Sequence, residues 1–341
     1  MDQPTVPTPT VATATSRMLL AAAMLILYVV WGSTYLGIAI AVDTIPPFVM
    51  AAIRFLIAGS VLMAWSAARE RRSFRLPSLR EARDTAIVGA LLLGGGMGMV
   101  AWGEQTVPSG IAALLIALMP VWVAVFGRVF LGERLPGIAV VGIGVGLVGV
   151  TILVWPFGTT GEGFDAAGLG ALFLSPIFWA SGSLFAAHRA RQPSRPLVAT
   201  ATQMLAGSAT LAVLGLLTGE FAVFRPEAIS TESIIALVYL TFIGSLVAFT
   251  AYVWLLKVAP LPLIATYAYV NPIVAVALGA MLLSEPVSPR TLLAGAIIVG
   301  AVAVIITARS RMTRPAARPA EPSFPERQSG AQPAPAEAPN T

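Results

Sequence analysis

Between residues 18 and 308 the chain passes through ten apolar segments, roughly 18–42, 46–68, 85–103, 109–131, 137–155, 167–187, 197–218, 233–256, 263–283 and 291–308, and none contains an Asp or Glu. A helix that crosses a bilayer needs about 20 predominantly apolar residues, whereas a barrel strand alternates over about 10. These runs are continuous, so the pattern predicts an all-α integral membrane protein of ten transmembrane helices. Composition agrees: 57% of residues are hydrophobic and 11% charged, against about 25% charged in a soluble domain. The opening "MDQPTVPTPTVATATSR" has an acid and no positive stretch, and the 25-residue run after it reads as an uncleaved span rather than a signal peptide. Residues from about 315 are rich in Pro and Ala, without apolar periodicity, and read as disordered.

The basic residues set an orientation. With the N-terminus inside, 17 of the 21 Lys and Arg fall on cytoplasmic segments, and only Arg225 and Arg290 fall outside. Arg54 and Arg128 lie within spans. This is the positive-inside bias of a multi-pass inner-membrane protein with both termini cytoplasmic. The arginines sit in short loops rather than in a nucleic-acid-reading domain, so no nucleic-acid partner is expected. With no cysteine and a single histidine, His188, neither a disulfide nor a metal centre is expected, and no cofactor.

The two halves echo one another. Pro120, Gly127, Leu131 and Glu133 fall on Pro272, Gly279, Leu283 and Glu285 at a constant shift of 152 residues, as do Trp102 on Trp254 and Pro108 on Pro260. Trp31 falls on Trp179 at a shift of 148. Five spans per half is an odd number, so the second half enters the membrane in the opposite sense. Glu133-Arg134 then lands inside, where arginine is favoured, and Glu285-Pro286 lands outside. The expected organisation is an arm 1–17, a first five-helix unit 18–155, a periplasmic linker 156–166, an inverted second unit 167–308 and a tail 309–341. Inverted repeats characterise alternating-access carriers, whose substrate site lies near the midplane between the repeats.

"WGSTYLGIAIAVDTIPPFVMAAIRFLIAG" (31–59), "AALLIALMPVWVAVFGRVFLGERL" (112–135) and "YAYVNPIVAVALGAMLLSEPV" (267–287) resemble the EamA branch of the drug/metabolite transporter superfamily, and the resemblance covers residues 18 to 308. It implies ten helices in two inverted repeats in the bacterial inner membrane. It also implies export or uptake of amino acids, other small metabolites or drugs, without fixing which.

Arg54 is the most informative charge, because burying it at membrane depth costs roughly 2.5 to 3.5 kcal/mol on insertion scales. Its fork suits a substrate carboxylate; alternatively it serves structure, bonding carbonyls at a helix break or reaching Asp43 or Glu104. Polar and aromatic residues that must find partners away from lipid mark a central cavity: Trp31, Ser33 and Thr34 in the first span, Trp102 in the third, Trp179 and Ser183 in the sixth. Trp254, Tyr267 and Asn271 complete the set in the second half. Tyr267 and Asn271 are four apart and share a helix face. Pro120 and Pro272 are expected to loosen their helices and free carbonyls four residues earlier. Glu104 and His188, both at span ends, are the candidates for coupling. The lack of an acid inside any span argues against a carboxylate proton relay and for facilitated efflux or exchange.

Two glycine motifs mislead. "GVGLVG" (144–149) matches a dinucleotide fingerprint but lies inside 19 uncharged residues of a span, and "GGGMG" (94–98) lacks the lysine of a phosphate loop. Gly142 and Gly146 instead permit close helix packing, within a monomer or at a homodimer contact. A membrane enzyme would need an acid–base or nucleophile constellation that is absent here, and a channel would show rings of repeated polar residues. The sequence thus reads as a non-enzymatic carrier of a small-molecule substrate, most readily an exporter of amino acids or related compounds. Multidrug or other metabolite efflux is the alternative.

Overall fold

The computed structural model describes residues 14–69, 74–154 and 165–312. The expected arm up to residue 13, most of the linker and the tail from residue 313 lie outside the described residues. Among the described residues every regular element is helical. Nine helices among the described residues are long and apolar enough to cross a membrane: α1 Met18–Val42, α2 Pro47–Arg69, α3 Leu79–Gly103, α4 Ser109–Leu131, α5 Gly137–Val154, α6 Ala166–His188, α7 Pro196–Leu217, α8 Thr231–Leu255 and α10 Pro289–Ala308. The remaining crossing, α9, comes in two pieces, Leu261–Ile264 and Tyr267–Leu282. Helix already begins at Ala14 and persists to Met312, beyond the bounds of 18 and 308 that hydropathy gives.

Helix pairing follows the repeat. α1 packs on α8 and α9, and α6 packs on α3 and α4, so exchanging the halves converts one set into the other. α2 packs on α7 and α5 on α10, each pair being its own counterpart. The inversion is visible at the end of α1. There the Ser230 N–H, at the start of α8, donates to Thr44 Oγ1, and Ser233 Oγ donates to the Ile40 carbonyl. Glu104, the residue just after α3, lies against Ala39 of α1. Thus α8 begins on the face where its counterpart α3 ends.

Glycines let these helices approach. A Cβ on Gly32 would strike Val274 of α9, and one on Gly142 or Gly149 would strike Ile305 or Ile298 of α10. The Gly142–Gly146 stripe is therefore spent on α10 of the same chain. Large apolar side chains such as Leu25, Val61, Val145, Leu216 and Leu292 point outward, the surface a bilayer would cover.

The echoed Gly…Glu pairs have a common geometry. The backbone N–H of Glu133 donates to the Gly127 carbonyl at 3.1 Å, and that of Glu285 donates to the Gly279 carbonyl at 3.1 Å. Each carboxylate folds back over its glycine into the place a Cβ would occupy. The residues before the two glutamates, Gly132 and Ser284, both adopt positive φ, 67° and 53°. Glycine takes that conformation freely and serine does so at a cost. Glu285 then spans the repeats: its carboxylate accepts from the backbone N–H groups of Ser109 (2.8 Å) and Gly110 (3.1 Å), the orphan donors that open α4.

Both α4 and α9 break, at Ala117–Leu118 and at Ala265–Thr266. Pro120 sits in the first turn of the resumed α4, in keeping with its missing N–H. Pro272 does not coincide with the break in α9: the helix runs through it and the interruption falls earlier.

Candidate functional site

The site forms where α1 crosses α2, α8 and α9, and α1 and α8, together with α3, depart from regular α geometry. Leu27–Trp31 of α1, Ala90–Met97 of α3 and Leu240–Val247 of α8 are π-helical. The last two are equivalent, each eight residues long and related by a shift of 150. π turns leave carbonyls to outside donors and collect at functional sites.

Each π segment of the α3/α8 pair receives a tryptophan from the opposite repeat. The Trp31 indole N–H donates to the Gly244 carbonyl at 3.3 Å. Trp179 of α6 lies against Gly96, where any Cβ would collide with the indole. Trp31 also stands edge-on to Tyr267 (centroids 5.0 Å apart) and to Phe249 (6.3 Å), and tilted against Tyr252 (5.3 Å). These four rings form an apolar wall with hydroxyl groups at its margin.

Arg54, only 5% exposed, lies beside this wall. Its Nε donates to Ser245 Oγ at 2.9 Å, and Ser245 Oγ donates to the Leu240 carbonyl at 3.0 Å. Gly244 makes room for the guanidinium, whose Nη2 would lie 3.5 Å from a Cβ there. Its terminal nitrogens bond to none of the described residues. A guanidinium offers five N–H donors, so four remain for an anionic group. Around it, Ser33 Oγ shares a hydrogen bond with Tyr239 OH at 2.5 Å and bonds the Val30 carbonyl at 2.9 Å, and Thr34 Oγ1 donates to the Trp31 carbonyl at 2.6 Å. Tyr28 OH meets Thr266 Oγ1 at 2.5 Å, at the break in α9. With its amide nitrogen facing the acceptors, Asn271 donates to the carbonyls of Tyr28 (3.3 Å) and Tyr267 (3.2 Å).

Glu104, the residue that follows α3, is not at a solvated interface. It is 6% exposed, and neither carboxyl oxygen has a hydrogen bond of good geometry. Burial pushes its carboxyl well above the usual carboxylate range, and the Glu285 carboxylate pushes the same way; the Ala39 N–H and the Arg54 guanidinium oppose.

Trp31, Ser33, Thr34, Arg54, Tyr267 and Asn271 therefore meet in one region. The other sequence candidates lie elsewhere. Trp102 lines a groove of about 340 Å³ with Asp43, Thr44, Gln105 and Glu220. In that groove Glu220 accepts from the Phe48 and Val49 N–H groups that open α2. Ser183 is half-buried on α6, one turn beyond Trp179. Trp254 is 36% exposed on the outside of α8, while Tyr252 takes the inward place. His188 is exposed at the end of α6, its Nδ1 3.1 Å from the Leu184 carbonyl. Tyr28, Tyr239 and Ser245 belong to the site although the sequence did not single them out. The shift of 150 that aligns Gly94-Gly95 with Gly244-Ser245 is the signal that would have marked Ser245.

Two five-helix units related by inversion, each with a broken fourth helix, are an architecture common among membrane transporters. The chain belongs to the EamA-like transporter family, which matches residues 17–155 and again 166–307. It is 38% identical over 284 residues to an uncharacterized inner membrane transporter, YedA, of Escherichia coli (strain K12), covering 83% of this chain and 89% of that one. It is 24% identical to a probable amino-acid metabolite efflux pump of Salmonella typhimurium (strain LT2), over 81% of this chain and 90% of the relative. A shorter stretch of 131 residues, 38% of the chain and 43% of the relative, is 30% identical to a probable terminal-alkyne amino-acid exporter of Streptantibioticus cattleyicolor. One solved structure, titled only as the crystal structure of a protein, shares the fold with a TM-score of 0.58 at 24% identity, over 86% of this chain and 99% of that one. The chain is thus a transporter of the drug/metabolite type.

Proposed function

We propose that this transporter exports amino acids or closely related compounds across the inner membrane by alternating access, with both termini cytoplasmic. The observation that carries the substrate class is Arg54: a cation buried among helices, tied by one nitrogen to a neutral hydroxyl and by none to an acid. A substrate carboxylate completes its fork, and the wall of Trp31, Phe249, Tyr252 and Tyr267 packs the substrate side chain. The breaks in α4 and α9 are the joints about which the repeats tilt, exposing the site to each side in turn. The names of the two amino-acid exporting relatives favour the same substrate class.

Purified protein in liposomes, preloaded with a mixture of amino acids, tests this through Arg54→Ala and Arg54→Lys. Alanine is expected to weaken amino-acid transport by roughly tenfold to a hundredfold, the worth of a charged hydrogen bond, and lysine by less. Unchanged transport in Arg54→Ala would remove the basis for the substrate class. Transport of drugs that ignores Arg54 but fails in Trp31→Ala would favour multidrug efflux on the same aromatic wall.

A further inference from the structure

Glu104 is left unexplained by a site built on Arg54 alone. It is 6% exposed with both carboxyl oxygens buried and unpartnered, and its charge is felt by groups on other elements: Ala39 and Tyr35 of α1, Arg54 of α2 and Glu285 between α9 and α10. The arrangement therefore joins both repeats, where a substrate bound between them would lie. A buried carboxyl without a donor is costly, and such groups are normally paired. Yet Glu104 and Arg54, whose charges act on each other, make no ion pair with each other. A buried carboxyl and a buried guanidinium that do not pair with each other, neither with its hydrogen-bonding capacity filled by the protein, fit a ligand that carries the complementary charge for each.

We infer that Glu104 is the ammonium pole of the site whose carboxylate pole is Arg54, so that the carrier selects zwitterions over simple acids or amines. This rests on the amino-acid reading above and narrows it to α-amino acids. Their ammonium and carboxylate sit on one carbon, so a single molecule presents a cation to Glu104 and an anion to Arg54. The ammonium brings three N–H donors to oxygens that have none. It also favours the ionised carboxylate that burial resists, so binding strengthens as pH rises toward the range where Glu104 ionises. Tyr35, Arg54 and Glu285 face the same carboxyl and set where that range falls, with Tyr239 acting on Arg54.

The test is ligand binding to the full chain in lipid nanodiscs. The probes are L-leucine, L-phenylalanine and L-threonine, each with its des-amino acid and its decarboxylated amine. Wild type is expected to bind the amino acids at least about tenfold more tightly than either analogue, in line with a charged hydrogen bond. Glu104→Gln should lower amino-acid affinity to that of the des-amino acids without weakening the latter, and Glu104→Asp should recover part of the difference. Arg54→Gln should do the converse against the amines. A Glu104→Gln variant that weakens amino acid and des-amino acid equally, or alters only pH dependence, would overturn the inference and leave the amino-acid reading standing. Wild type that binds none of the amino acids would overturn both.

Discussion

Glu285 holds the two repeats together on one face of the molecule, and removing its carboxylate should loosen that closure measurably. Its two oxygens accept from the N–H groups of Ser109 and Gly110 at 2.8 and 3.1 Å. Hydrogen bonds to a charged group contribute about 1.5–3 kcal/mol each when shielded, and less when solvated. Glu285 is half-exposed, which argues for the lower part of that range, but Ser109 is fully buried, so water does not readily replace what the N–H loses. Glu285→Ala should therefore cost about 2–3 kcal/mol, and Glu285→Gln, which keeps one neutral acceptor, about 1 kcal/mol. If the contact persists only while this face is closed, 2–3 kcal/mol shifts the closed-to-open ratio roughly 30- to 150-fold. The chain has no cysteine, so spin labels at Gln105→Cys and Ser288→Cys report that face without background. Electron–electron distance measurements in nanodiscs should show a longer population in Glu285→Ala, a smaller one in Glu285→Gln and little in the parent. Identical distance distributions, with thermal unfolding unchanged, would refute the reasoning.

Further outcomes follow from the same geometry. Gly279→Ala places a methyl group where the Glu285 carboxylate lies, so it should reproduce much of the Glu285→Ala distance change with the carboxylate intact; the same labels check it. Gly149→Leu drives a side chain into Ile297 and Ile298 of α10 and should lower unfolding stability by about 1–3 kcal/mol, read as a fall in melting temperature in detergent. Trp31→Phe keeps the ring stack but loses the bond to Gly244, for an expected loss of about 1 kcal/mol in stability, whereas Trp31→Ala should also abolish uptake of aromatic and branched substrates. Glu104 gives a pH signature. Its folded pKa lies above the unfolded value of about 4.3, so its contribution to stability is full below that pH and lost as pH rises through the folded pKa. Glu104→Gln does not titrate, so its melting temperature relative to wild type should rise between acid and alkaline pH; parallel curves would contradict the burial.

Much of this was legible because lipid restricts what a chain can do. Runs such as 137–155 had to be helices, and the recurrence of Gly127…Glu133 as Gly279…Glu285 recorded a real packing device in which a glycine yields its Cβ space to a carboxylate. What eluded the sequence was lateral position. Each π turn takes one extra residue, which rotates the following helix by about 100°. The π segments of α3 and α8 align at a shift of 150 rather than the 152 that matches Trp102 to Trp254, so Tyr252 takes the place beside Trp31 and Trp254 faces outward. Glu104 ends its span and so read as interfacial, but chain position gives depth and not cover; α1 and α2 enclose it from the side. The break in α9 escaped for a third reason. Pro272 lacks a donor yet stays helical, and the interruption falls at Ala265–Thr266, where Thr266 engages Tyr28.

The most direct test of the central claim, an amino-acid carrier working between inverted repeats, is counter-flow in proteoliposomes. Vesicles preloaded with mixed amino acids should take up labelled amino acid only when preloaded and saturably, and Arg54→Ala should abolish most of that uptake. Labelled uptake that is linear in concentration, or indifferent to preloading and to Arg54, would contradict the account.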